Sequence, residues 1–158
     1  MSVHKFIVSF RSWFDRVDHT MVRFMSAYGI HTLRWAIAII YIWFGGLKLI
    51  NASPAADLVV QTVFWLPPRL ALLFIGSWEV LIGLGLLFTH PSILRTTLFL
   101  LWLQIAGTFQ MFFLLPHVAF QGSNLLLPTL EGQYAIKNLV LITAGLVIGS
   151  TVRRDSMQ

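Results

Sequence analysis

The chain has 158 residues, 57% of them apolar and 11% charged, with 11 Lys and Arg against 6 Asp and Glu; an ordinary soluble domain carries about twice that share of charge. So few charges cannot coat a globule of this length, which argues against a water-soluble fold and calls for lipid over much of the surface. The composition also excludes disorder and collagen, and the absence of cysteine removes disulfides, thiol chemistry, iron–sulfur ligation and zinc–thiolate sites.

In chain order, residues 1–30 come first. Val3, Phe6, Ile7, Phe10, Trp13, Phe14, Val17, Met21, Phe24, Met25 and Tyr28 recur at three- and four-residue steps opposite a mixed-charge face. This pattern predicts an amphipathic helix lying in the membrane interface, with partner docking as its alternative use. Lys5, Arg11, Asp15, Arg16, Asp18 and Arg23 break any apolar run of signal-peptide length, so a cleaved leader is not expected.

Residues 31–152 predict an all-α, four-span bundle. A hydrocarbon core about 30 Å thick needs about 20 helical residues, and four stretches meet that length, at about 32–50, 69–89, 95–115 and 133–151. The first is bounded by Arg34 and Lys48, the second is interrupted only by Glu79, the third ends at Pro116, and the fourth carries Lys137 and Asn138 in its first turns. Between spans one and two, Ser53 and Pro54 predict the start of a short helix reaching about Leu66. Residues 116–132 hold Pro116, Gly122, Ser123, Asn124, Pro128 and Gly132 and read as irregular. The turn at His90, Pro91 and Ser92 is short enough to make spans two and three an antiparallel pair.

Eight of the eleven cations, Lys5, Arg11, Arg16, Arg23, Arg34, Arg95, Arg153 and Arg154, fall on one side of this arrangement. By the positive-inside rule both termini, including a tail at 153–158, are expected to be cytoplasmic. Because the cations sit at the ends of apolar runs and not on one face, nucleic acid is not an expected partner.

Charged groups in hydrocarbon cost roughly 2.5–3.5 kcal/mol at mid-depth, so each is expected to face the bundle interior, a partner or water. Helical spacing sorts the polar and small residues into one stripe per span: Arg34, Tyr41, Gly45 and Lys48; Gly76, Glu79 and Gly83; Gln104, Gly107 and Thr108; Tyr134, Lys137, Asn138, Leu141 and Gly145. Depth along the helices predicts that Glu79 pairs with Lys137 or Lys48, leaving both lysines open. Such a pair either registers the bundle or belongs to a polar pocket opening outward. No two histidines face each other inside the membrane as haem ligands would, and no flavin or metal motif is present. Gly145 and Gly149 form a GxxxG pair suited to close helix approach.

Three blocks, RWAIAIIYIWFGGLKLI at 34–50, WEVLIGLGLLF at 78–88 and EGQYAIKNLVLITAGLVI at 131–148, resemble the DoxX-like membrane proteins, in particular the YkgB-type branch of inner-membrane proteins. The resemblance covers about 34–150 and leaves out residues 1–30 and the loop at 51–68. It implies a four-helix bundle in a bacterial-type cytoplasmic membrane and points to Lys48, Glu79, Glu131, Tyr134, Lys137 and Asn138. Through the family's association with a thiosulfate:quinone oxidoreductase and oxidative-stress systems, it implies an accessory subunit of a quinone-linked redox system, with quinone or another lipophile as the ligand. A membrane assembly protein docking a partner through its N-terminal helix and a small-solute or proton transporter are the alternatives.

Overall fold

The computed structural model describes residues 3–122 and 124–152, with side-chain surroundings from Asp15 onward. Its helices are α1 (Val3–Leu49), α2 (Ala56–Thr62), α3 (Pro68–Leu87), α4 (Pro91–Phe109), α5 (Met111–Leu114), α6 (Pro116–Ala119) and α7 (Leu130–Thr151), and its strands are β1 (Phe120–Gln121) and β2 (Asn124–Pro128). Four stretches, Asp15–Leu49, Pro68–Leu87, Pro91–Leu114 and Leu130–Thr151, are long and apolar enough to cross a membrane. The chain divides into two units, Met1–Leu33 and Arg34–Gln158. The face expected from Val3 to Phe14 and the tail at 153–158 lie outside the described side chains.

In the first unit, Met21, Val22, Phe24, Met25 and Tyr28 are all more than half exposed, and the Phe24 and Tyr28 rings meet at 5.0 Å. The four-residue step that brings those rings together is the periodicity seen in the sequence.

In the second unit the helix ends have local causes. Pro68 and Pro91 occupy the first turns of α3 and α4, where a missing N–H costs nothing and the fixed φ already suits a helix. At the end of α1 the chain turns through Asn51, a left-handed residue with φ 57°. Ala52 N donates to Leu47 O at 2.8 Å and Asn51 N to Lys48 O at 3.2 Å, a Schellman cap that satisfies the last carbonyls. Thr129 caps α7 by accepting from Gly132 N at 3.1 Å.

Four expectations are corrected. The amphipathic stretch expected at 1–30 and the span expected from about 32 are not separate helices, because α1 runs unbroken from Val3 to Leu49. The third span does not run unbroken to residue 115: Gln110 N donates to Gly107 O and Phe113 N to Gln110 O, so the backbone tightens to i, i+3 bonds and separates α4 from α5. The loop helix is shorter than Pro54–Leu66, with Thr62 its last residue. The segment 116–132 is not irregular, because β1 and β2 pair as an antiparallel hairpin turning through Gly122 at φ 54°. Leu125 and Leu126 on that hairpin are exposed, so no alternation of buried and exposed residues marked the strand.

Small residues set the packing. A Cβ added to Gly45 would lie 2.7 Å from the Gly76 carbonyl oxygen, and one on Gly83 would lie 2.8 Å from the Ala38 carbonyl oxygen, so the backbones of α1 and α3 are in direct contact. Gly85 faces Thr97 across α3 and α4, and Gly145 lies beneath the Trp102 indole across α4 and α7. Around these crossings Ile37, Ile82, Leu86, Leu101, Ile105 and Ile148 form a buried apolar core. Beside it, Met111, Ala119 and Ala135 make a second cluster that joins α5, α6 and α7.

Candidate functional site

The α1 stripe falls inward as its spacing predicts: Arg34, Ile37, Ala38, Tyr41, Gly45 and Lys48 are buried. On α3 the buried set includes Gly76, Glu79 and Gly83. The two glycines at the crossing have a chemical consequence. The Lys48 stem passes over Gly76, where an added Cβ would be 3.0 Å from Lys48 Cβ, and the Glu79 stem passes over Gly45, where an added Cβ would be 2.9 Å from Glu79 Cβ. Each side chain therefore crosses the opposite helix at a position with no side chain, and their charged ends meet.

Lys48 Nζ donates to Glu79 Oε2 at 2.6 Å, with 7% and 10% of the two side chains exposed. Gln104 Nε2 donates to the other oxygen, Oε1, at 3.1 Å, and Tyr41 Oη donates to Gln104 Oε1 at 2.9 Å. The result is one chain of bonds, ammonium to carboxylate to amide to phenol, tying α1, α3 and α4 together. Both carboxylate oxygens are engaged, and the lone acid of α3 is neutralised at short range, which is the condition for burying it.

The remaining sequence-selected residues are placed differently. Arg34, two helical turns before Tyr41, is 8% exposed but lies outside this network, and its Nε has no hydrogen-bond partner. The expectation that Tyr134 and Lys137 face the bundle interior is not met, because both are exposed, as is Glu131, while Asn138 is half-buried. The inward residues of α7 are Gly132, Ala135, Ala144, Gly145 and Ile148. Lys137 stands two residues, about 200°, around the helix from Ala135, so the small residues choose the packed face and turn the lysine away. Its ammonium rests 5.2 Å from the centre of the Tyr134 ring. Lys48, not Lys137, is thus the partner of Glu79.

Gln104 was visible in the sequence only as a polar member of a stripe, and its bridging role between Tyr41 and Glu79 had no sequence signal. Neither did the bond from Trp78 Nε1 to Leu100 O, 3.2 Å, which ties α3 to α4.

Tyr41→Phe removes the last bond of the network and leaves the ion pair intact. Hydrogen bonds between membrane helices contribute about 0.6 kcal/mol on average and at most about 1.7. The variant is expected to lose an amount in that range, measured by unfolding in mixed detergent micelles; a loss as large as that of a Glu79 variant would show that the phenol supports the ion pair itself.

Comparison of the chain with protein-family models, with curated proteins and with solved structures finds no match.

Proposed function

We propose that this chain is a DoxX-like, multi-pass protein of a bacterial-type cytoplasmic membrane that serves as a non-catalytic or accessory subunit of a quinone-linked redox or oxidative-stress system. In this reading the four apolar helices form a spanning bundle with both termini cytoplasmic, and the amphipathic N-terminal residues are the first part of the same helix, α1, that supplies the first span.

The observation that carries the reading is the exposed Lys137 beside Tyr134, about 10 Å along α7 from Leu130 at 1.5 Å per residue. An ammonium at a lipid-facing position calls for a polar partner. A quinone supplies one, since its ring carries carbonyl acceptors for the Lys137 ammonium and the Asn138 amide, its face can stack on Tyr134, and its isoprenoid tail remains in lipid. The Lys48–Glu79 network then holds the helices while the ligand is met on α7. Transport through Glu79 draws less support, because Lys48 and Gln104 occupy both of its oxygens.

The test is extraction of the protein, purified in mild detergent from quinone-replete membranes, followed by absorption spectroscopy and mass spectrometry of the bound lipophiles. Quinone is expected with the wild type and is expected to be lost from Lys137→Met and Tyr134→Leu. Quinone-free wild-type preparations would overturn the reading.

The exposed Met21, Phe24, Met25 and Tyr28 favour a second reading, a membrane assembly protein that docks a partner on this helix. Deletion of residues 1–30 that releases a co-purifying protein while the spans still insert would favour it.

A further inference from the structure

We infer that the open groove between α4 and α7 is a binding site for an anionic phospholipid, with the phosphate on Arg95 and one acyl chain along the groove. The groove holds about 530 Å³ and is lined by Arg95, Leu98, Trp102, Leu146, Gly149 and Val152. Arg95 is the one charged residue among those lining it, and it lies in the first turns of α4, at the end nearest the α3–α4 turn.

The groove follows from the sequence. Gly149 puts no side chain into the groove, and a Cβ there would just reach Leu98 at 3.4 Å, while Gly145 seats the Trp102 indole that forms the opposite wall, where a Cβ would lie 2.8 Å from its nitrogen. Arg95 is exposed, and no carboxylate lies within ion-pair distance of it among the described residues. Positive charge at the mouth and an apolar trough running toward mid-membrane complement a phosphate carrying an acyl chain. A neutral lipid would leave the guanidinium without an anion, and a free phosphate would leave the trough unused.

The inference rests on the membrane-spanning reading of the helices and is independent of the quinone proposal. Full-length protein in detergent is incubated with phosphatidylglycerol or with phosphatidylcholine of the same acyl chains, and retained lipid is counted by native mass spectrometry. Phosphatidylglycerol is expected to be retained preferentially. Arg95→Gln is expected to reduce its retention about fivefold, the effect of one cation near an anionic surface. Leu146→Trp, which fills the trough from an exposed wall position, is expected to reduce retention with Arg95 intact. Equal retention of the two lipids, or retention unchanged by either variant, overturns the inference. Failure of the spanning reading would appear separately, as release of the chain from membranes by alkaline carbonate.

Discussion

Glu79→Ala is expected to lower the unfolding free energy in detergent by about 3–5 kcal/mol, the range for breaking a buried ion pair from one side. The loss arises less from the missing attraction than from what stays behind. Lys48 is 7% exposed and its ammonium donates to Glu79 Oε2, while Gln104 Nε2 donates to Oε1. Truncation strands a cation and an amide donor together. Removing both charges relieves most of this, because an uncharged pair of similar volume carries no uncompensated desolvation. The double variant Lys48→Met with Glu79→Gln keeps an acceptor for Gln104 and is expected to recover at least half of the loss. Lys137→Met, at an exposed position, is expected to change stability by less than about 0.5 kcal/mol. A double-mutant cycle with thermal or denaturant unfolding measures all of these. Loss on Lys137→Met comparable to that on Lys48→Met would contradict the pairing described here.

Gly45→Ala and Gly46→Ala, at adjacent positions, are expected to differ sharply, the first destabilising and the second not. A Cβ at Gly45 meets the Gly76 carbonyl oxygen at 2.7 Å and Glu79 Cβ at 2.9 Å, whereas one at Gly46 meets nothing within 4 Å. Overpacking of this kind typically costs about 1–3 kcal/mol. Here the obstacle is backbone, which yields only if the helices separate, and separation would also lengthen the Lys48–Glu79 bond. Gly45→Ala should therefore lose about 2–3 kcal/mol, toward the top of the overpacking range. Gly46→Ala gains helix propensity without a clash and should be neutral or stabilising by up to about 1 kcal/mol. Equal effects from the two substitutions would show that α1 and α3 are not in backbone contact at this crossing.

These two experiments probe features that differed in how openly they stood in the sequence. The α1 stripe was legible because Arg34, Tyr41, Gly45 and Lys48 repeat with helical spacing in a segment otherwise apolar, and the inward face of α3 was legible from Gly76, Glu79 and Gly83. The same rule misplaced Tyr134 and Lys137. On α7 the predicted stripe divides: its member Gly145 is buried together with Gly132, Ala135, Ala144 and Ile148, while its polar members Tyr134 and Lys137 are exposed. Close packing against Trp102 and Ala119 selects the buried set, since Gly145 and Gly132 have no room for even a methyl group there. The hairpin is not legible in the sequence because a strand whose leucines are exposed carries no burial period, and its Gly, Asn and Pro residues read as breakers.

What the amino-acid order determined alone is local: the length and hydropathy of the four long segments, and the need of a single acid in an apolar segment for a cation. Each depends on neighbours within a few turns and on the free energy of moving those groups into lipid. Tertiary structure decided which lysine meets Glu79, that Gln104 and Tyr41 extend the pair into a network, and that Lys137 is left facing outward. Those outcomes depend on how deeply one helix sinks into another, and that depth is set where Gly45 and Gly76 let two backbones touch, at residues separated by the whole of α2 and its flanking loops.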